Sequence, residues 1–316
     1  MTQASAMGLQ DLIGKRLTIR LHESGGGYRD IVGILASPTT LKHKDGHIIT
    51  FSPDQIAIYR EIIALPDSAG KGAPLSIRII ELEKMINSTW GSLEEVWHGQ
   101  WLFRASGKFT MRANSIVPLG TPPFGEPDKP LDEAIQVAIN FYKERKLKPV
   151  FSIPLPLYEE LDTYLGEHGW EEKVRAQIQV SDLKHLDVLT SNVLNVSATC
   201  TPEWLEVQND QPLLSMMKKT RALYYSLTIN NVAVAVARAG LSDQWAVITR
   251  FFVKPEFREQ KLGQEFMSLM INDLLSQGAT KAALQVDGAN NAALALYAKL
   301  GFRKHHEYSY RIYVGA

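Results

Sequence analysis

The chain has a single cysteine, Cys200, so no intrachain disulfide can form and the fold must rest on buried apolar surface. "MTQASAMGLQDLIGKRL" contains no leader-like apolar core, and the cytoplasm is the expected setting. Long apolar runs are missing as well. "VAVAVA" falls well short of the roughly 18 residues a membrane helix needs, so no membrane partner is expected. Charge of one sign is not in excess either: Lys+Arg and Asp+Glu are both 34, for a net charge of zero. That balance argues against a broad surface for gripping phosphate backbones, and nucleic acid is not an expected partner. The histidines offer no metal-ligand spacing. His43 and His47 flank a turn, and His305 and His306 are strand neighbours that should face opposite sides. With no Cys or carboxylate cluster beside them, no metal is expected.

What remains is ample for a core. Of 316 residues, 45% are hydrophobic and 22% charged, as in ordinary globular proteins. Residues 1–65 read as short strands. Leu17, Ile19 and Leu21 alternate, as do Ile31, Gly33 and Leu35, and "KDGH" marks a hairpin. A small β-barrel of the Src-homology type is expected. Residues 66–76, rich in Gly, Pro and Ser, read as a linker. From Ile77 the spacing turns helical. Strand-like runs follow at "EVWHGQWLFRAS" and "FTMRANSIVPLG", then helix, strand, helix and strand to about residue 188. After a less regular stretch, residues 189–316 repeat that order, with a hairpin about Asn230–Asn231. The expected class is α/β, or α+β: a small barrel followed by two mixed-sheet units with a common order of elements.

The sharpest local signal is "VKPEFREQKLG", Val253 to Gly263. A strand stops at a proline, and an arginine and one glycine precede a helix. Helix N-termini hold anions because their first N–H groups are unpaired and the helix dipole is positive there. Lys261 stands where a phosphate loop would carry a further glycine. With a negative φ its N–H could serve a phosphate, and its ammonium could act as a point charge. A left-handed φ would cost a lysine about 1 kcal/mol. A second segment, "NNAALALYAKLGF", runs from Asn290 to Phe302 on a helix. Cys200, between Ala-Thr and Thr-Pro, reads as a small, partly buried side chain and not as a nucleophile.

These two segments, in this order and separation, resemble the acetyl-CoA signature of the GNAT superfamily of N-acetyltransferases. The barrel followed by two units resembles an actinobacterial family of such proteins. Some of its members are described as N-acetylglutamate synthases, others as histone-acetyltransferase-like. The resemblance implies an enzyme that uses acetyl-CoA as co-substrate, without metal, and acetylates a primary amine by direct transfer in a ternary complex. It implies that Arg258, Glu259, Gln260, Lys261, Leu262 and Gly263 form a pyrophosphate cradle, and that Phe252 and Val253 pair with the pantetheine amides. Asn290 joins the cofactor set. Tyr297 stands at the family's general-acid position, although a tyrosine on an amphipathic helix can also be simply core. No acidic residue lies on "WAVITRFFV", so Asp243, Thr249 and ordered water stay open as routes for the amine proton. The unit 77–188 lacks the signature and reads as a degenerate half. If the acceptor is glutamate, a small-molecule partner, Arg221, Arg238, Arg250 and Arg112 are the candidate carboxylate ligands. Two alternatives remain: a protein or peptide amine with the barrel docking the target, and a module that senses acetyl-CoA without turnover.

Overall fold

The computed structural model describes residues 9–43, 45–62, 71–107, 110–209 and 214–315. They belong to two compact units, Met1–Pro66 and Asp67–Ala316. The first unit is a five-stranded antiparallel, barrel-like sheet in the order β4-β3-β2-β1-β5. Its strands are β1 (Arg16–His22), β2 (Tyr28–Ser37), β3 (Thr40–Lys42), β4 (Ile48–Thr50) and β5 (Ile56–Glu61). Alternation along β1 turns Leu17, Ile19 and Leu21 inward onto Ile31, Leu35, Leu41, Phe51 and Ile56.

The second unit opens with α1 (Leu75–Trp90), so the expected linker gives up its last two residues to a helix. Part of that linker, residues 66–70, lies outside the described residues. Ile79, Leu82, Ile86 and Trp90 form the buried stripe of α1. The hairpin β6 (Glu94–His98) and β7 (Trp101–Ala105) follows, then β8 (Ile116–Pro118), α2 (Leu131–Glu144), β9 (Val150–Leu155), α3 (Glu159–Glu167) and β10 (Trp170–Asp182). Next come β11 (Val193–Ser197), α4 (Pro202–Gln208), α5 (Leu214–Met217), and the hairpin β12 (Ala222–Ile229) and β13 (Val232–Ser242). The chain closes with β14 (Trp245–Val253), α6 (Leu262–Ser276), β15 (Lys281–Asp287), α7 (Asn291–Lys299) and β16 (Arg303–Tyr313). Asn230 and Asn231 turn the β12–β13 hairpin with φ of 48° and 64°, the left-handed pair of a tight hairpin turn.

Both halves carry hairpin, strand, helix, parallel strand, helix and strand, yet they share one sheet. Among the described residues it has eleven strands in the order β11-β12-β13-β14-β15-β10-β16-β9-β8-β7-β6. The last strand of each half is exchanged: β10 pairs with β15, and β16 pairs with β9. The halves are therefore one body. Its apolar clusters run from Trp101, Phe151 and Trp170 on one side to Phe266, Met270 and Leu284 on the other.

The run "FTMRANSIVPLG" departs from its strand expectation. Only Ile116–Pro118 is strand; among the described residues Thr110–Ser115 is turn, held by the Asn114 side chain, which accepts from the Ser106 amide at 2.7 Å. A second departure lies in "SATCTPEWLEVQ", read as irregular. Thr201 caps α4 by accepting from the Trp204 amide at 3.2 Å, with a proline at the first helical position.

Where α1 meets β13 the approach is close. A Cβ on Gly240 would lie 2.6 Å from the Thr89 Cβ and 2.9 Å from the Thr89 carbonyl oxygen. Gly240→Ala should cost about 2 kcal/mol through overpacking, read as a lower urea midpoint at unchanged slope. An unchanged midpoint would show that α1 shifts freely.

Candidate active site

β14 and β15 run parallel and pair from Trp245↔Lys281 to Ile248↔Leu284, then part. Beyond that point β14 keeps only β13, and β15 keeps only β10. The parting coincides with a bulge. Thr249 faces Arg238 and Phe252 faces Val236, so Arg250 and Phe251 together oppose Ala237. Arg250 takes φ of 56°, and its carbonyl accepts from the Gln208 side chain at 2.7 Å. The Lys254 amide donates to the Val234 carbonyl at 2.9 Å. By the alternation of an antiparallel ladder, Phe252 then points its peptide groups at β13, while Val253 points its own into the opened side. Of the two predicted pantetheine contacts, only Val253 has a peptide free of the ladder. Its carbonyl accepts from the Arg258 Nε at 3.0 Å, and the Arg258 guanidinium lies 5.3 Å from the Phe252 ring centre.

The next turn carries the predicted cradle. Glu259 and Lys261 both sit in the left-handed region, at φ of 64° and 60°, and Lys261 stands at the N-cap position of α6 without a side-chain cap. The negative φ that would leave Lys261 unstrained is not adopted. The lysine occupies the backbone conformation of the glycine it replaces, at a cost of about 1 kcal/mol. Gln260 bonds to the Glu256 carbonyl at 3.3 Å, and Leu262 is buried in the core. A Cβ on Gly263 would meet the Leu296 side chain at an ordinary 3.5 Å, so the glycine is not demanded by crowding within the chain. α6 is 15 residues long, long enough for its N-terminal amides and dipole to favour an anion.

Asn290 caps α7, its side-chain oxygen accepting from the Ala293 amide at 3.1 Å. In the last turn of α7, Tyr297 is buried, 6.4 Å from the Phe251 ring and 5.9 Å from Phe302. Burial pushes its phenol up to about 12, and its hydroxyl has no hydrogen-bond partner among the described residues. The packing bears out the core reading of Tyr297. The ring is core and the hydroxyl stays protonated.

At the parting of β14 and β15 lies a cavity of about 200 Å³ lined by Trp90, Thr110, Arg112, Ile248, Thr249, Arg250 and Gln285. Two of the four predicted arginines, Arg112 and Arg250, line it, and Arg238 packs against the Trp90 that also lines it. Arg112 and Arg238 lie 5.5 and 5.3 Å from the centre of the same Trp90 ring. Arg238 is 1% exposed, and its Nη2 donates to the Thr89 carbonyl at 2.8 Å and to the Thr220 hydroxyl at 2.6 Å. Burial, with Arg112 adding to it, pulls its guanidinium below the ordinary value. Arg221 does not join them. It is exposed at the foot of β12.

Asp243 turns β13 into β14 at the far end of β14 from the parting. Six residues of strand, about 20 Å, separate it from Thr249, too far to take the amine proton. Thr249 is buried, and its hydroxyl donates to the Arg238 carbonyl at 3.4 Å. Trp90, Thr89 and Gln285 escaped the sequence reading. Trp90 comes from the other half of the chain, and no local pattern announces it.

The first half has no comparable cradle. Between β8 and α2 stand Pro122, Pro123, Pro127 and Pro130, which have no N–H to offer a phosphate. Glu159, Glu160 and Glu167 line the adjacent groove. His305 and His306 do not face opposite sides, contrary to expectation. A bulge at His305, between Ile178↔His306 and Gln179↔Lys304, brings their Nδ1 atoms to 2.9 Å. His43 and His47 both contact Asp45 on the β3–β4 hairpin, at 2.9 and 2.6 Å, and hold its carboxyl well below the usual range.

Comparison with known proteins agrees with this geometry. The chain is 27% identical over 314 residues to a probable histone acetyltransferase, Rv0428c, of Mycobacterium tuberculosis, covering 94% of each chain. It is 32% identical over 84 residues to the ribosomal protein bS18-alanine N-acetyltransferase of Escherichia coli, which is 27% of this chain and 57% of that one. A GCN5-related N-acetyltransferase from Kribbella flavida shares the fold, with a TM-score of 0.61 at 16% identity over 78% of this chain and 98% of its own. Residues 76–311 match the family described as probable histone acetyltransferase Rv0428c C-terminal, and the chain belongs to that family as a GNAT-type N-acetyltransferase.

Proposed function

We propose that the protein transfers the acetyl group of acetyl-CoA directly to a primary amine within a ternary complex. The single observation that carries this reading is the parting of β14 from β15 beyond Ile248↔Leu284, with the α6 N-terminus at the end of β14. The Val253 peptide, turned out of the ladder, is placed to pair with the pantetheine. The α6 amides, Arg258 and Lys261 are placed to hold the pyrophosphate, and Gly263 leaves it room. Acetyl-CoA supplies a thioester, an acyl group already activated toward an amine.

The cavity at the parting is where an amine acceptor would meet that thioester. Two features favour direct transfer over a covalent enzyme. Cys200 is the chain's one thiol, and burial pushes it up to about 11, so it is not a thiolate near neutrality. The described residues lining the cavity include no carboxylate, so water is the route for the amine proton. Tyr297, at the family's general-acid position, would donate a hydrogen bond to the departing sulfur. Full proton transfer from a phenol at about 12 to an ordinary thiolate, at about 8.5, is uphill. The hydroxyl therefore stabilises developing charge, and the proton the thiol finally carries comes from solvent.

Glutamate as acceptor, making the protein an N-acetylglutamate synthase, is the reading the sequence resemblance adds. Its support here is the arginine-lined cavity. A second reading, acetylation of a protein amine with the small barrel docking the target, is supported by the names of the M. tuberculosis and E. coli relatives. The sparing use of cysteine suits a cytoplasmic setting for either. Thiol release from acetyl-CoA, measured against amino acids and lysine peptides, tests the reading; no release with any amine would sink it.

Lys261→Gly separates the two roles of the lysine. Release of left-handed strain should raise stability by up to about 1 kcal/mol. Loss of the ammonium should weaken coenzyme A binding several-fold, more at low salt. Calorimetric titration at two ionic strengths checks both; unchanged affinity would mean that the backbone alone holds the phosphates.

A further inference from the structure

We infer that His43, Asp45 and His47 form a binding site for one divalent transition-metal ion, of the zinc class, which fastens the β3–β4 hairpin of the barrel. The hairpin brings the three side chains together. The His43 N–H donates to the His47 carbonyl at 2.9 Å and the Gly46 N–H to the His43 carbonyl at 3.0 Å, with Gly46 at φ of 95°. His43 and His47 thereby continue the Lys42↔Ile48 register by one step. Residues opposite each other in such a ladder carry their side chains on one face, and the two ring centres lie 4.6 Å apart. Asp45 turns back from the tip to meet both. The expectation of no carboxylate beside these histidines fails at Asp45, whose place between them only the turn makes useful.

Convergence carries the inference. The Nδ1 atoms of both histidines face the same carboxylate oxygen, Asp45 Oδ1, at 2.9 and 2.6 Å. The three donor atoms all lie within 4.8 Å of one another, and His43 Nδ1 is shut off from solvent inside the group. A tetrahedral ion with nitrogen and oxygen ligands at about 2.0–2.2 Å sets neighbouring ligand atoms about 3.4 Å apart. Asp45 Oδ1 need retreat only about half an ångström to admit such an ion, and its side chain, 58% exposed, has the room to do so. The His43 imidazole and the His47 amide hold the Asp45 carboxyl well below the usual range, so the ligand oxygen is already ionised.

The donor set selects the ion. Two imidazole nitrogens and one carboxylate oxygen suit Zn²⁺, Co²⁺, Ni²⁺ or Cu²⁺, whereas Ca²⁺ and Mg²⁺ take oxygen ligands. Three protein ligands leave the remaining position to water. The place in the fold gives the ion its role. The barrel is a compact unit of its own, and its core among the described residues is nine buried apolar side chains. A core of that size supplies little stability by itself, and small domains often add a disulfide or a metal. With one cysteine in the chain, no disulfide is open to it. Neither histidine belongs to the core, so packing does not account for them. β3 and β4 are the shortest strands of the barrel, at three residues each. His43 stands directly after one and His47 directly before the other. An ion held there ties the two together where the ladder is shortest.

The test uses the untagged full chain, freed of metal with a chelator and titrated calorimetrically with Zn²⁺ alone, then with Co²⁺, Ca²⁺ and Mg²⁺. One Zn²⁺ per chain should bind, Co²⁺ should compete for it, and Ca²⁺ and Mg²⁺ should not. His47→Ala and Asp45→Asn should each weaken Zn²⁺ at least about tenfold, since even the outer partners of metal ligands are worth about tenfold to a hundredfold. Both side chains are more than half exposed, and Asp45→Asn keeps an acceptor for the His47 amide, so the variants leave the fold intact. Amide hydrogen exchange is the second readout. Zn²⁺ should slow exchange at β3 and β4 in wild type, by a factor that grows with free Zn²⁺ over its dissociation constant, and should leave His47→Ala unchanged. Binding that survives both substitutions means an adventitious ion only and overturns the site. The absence of Zn²⁺ binding, or equal binding of Ca²⁺, overturns it as well. Zn²⁺ bound at these residues without slower exchange refutes the fastening.

Discussion

Tyr297→Phe lowers thiol release from acetyl-CoA about a hundredfold and leaves coenzyme A affinity within about twofold of wild type. The expectation follows from the position of the ring. Tyr297 is 7% exposed and packed with Phe251 and Phe302, contacts that a phenylalanine keeps. Only the hydroxyl is lost, and among the described residues nothing else engages it. A charge-stabilising donor placed at a reacting atom is worth about two to three orders of magnitude in turnover, and its removal acts on kcat more than on binding. Because burial pushes the phenol up to about 12, it stays protonated across the working range. The wild-type kcat should therefore show no Tyr297-dependent loss below about pH 11. Unchanged turnover in the variant, or a Tyr297-dependent fall centred near pH 9, would refute the donor role.

Glu83→Ala destabilises the second unit by about 3 kcal/mol. Glu83 on α1 and His306 on β16 are both buried, and their Oε1 and Nε2 lie 3.0 Å apart. This contact ties the first helix of the unit to its last strand. Truncation leaves the imidazole nitrogen without a partner in the interior, the costly half of a broken pair. Glu83→Gln, which keeps an acceptor, should cost about 1 kcal/mol. Urea midpoints at constant slope decide; equal midpoints for Glu83→Ala and wild type would show that the contact contributes nothing.

The neighbouring His305 adds a pH signature. Burial, helped by His306, pushes it down to about 4, while an unfolded histidine titrates near 6.5. Between those values the unfolded chain binds more protons, so stability falls as pH drops from about 6.5 toward 4. A urea midpoint measured through that window should fall less steeply in His305→Gln than in wild type.

The elements that could be read from the chain are those written in short-range pattern. Leu17, Ile19 and Leu21 announce β1 by alternation, Asn230–Asn231 announces its hairpin, and the proline and glycine after Val253 announce the start of α6. The Val253–Gly263 and Asn290–Phe302 segments were legible for the same reason. A helix N-terminus that receives a phosphate needs particular residues at particular offsets. Where a pattern spoke for two structures, propensity misled. "FTMRANSIVPLG" is apolar and β-rich, but the Asn114 side chain satisfies the Ser106 amide in place of a ladder partner, and a turn results.

What the sequence determined by itself is the kind of chemistry: a strand, a proline and a helix start able to hold a phosphate, with a tyrosine downstream. What only the tertiary structure decided is where the two halves meet and what that meeting builds. Exchange of β10 and β16 merges two repeats into one sheet, a matter of strand pairing across more than a hundred residues that no local spacing encodes. That merger carries Trp90 and Arg112 from the first half to Arg238 and Thr249 of the second. Lys261 takes a left-handed φ of 60° because the turn from β14 into α6 requires it, and the side chain conforms.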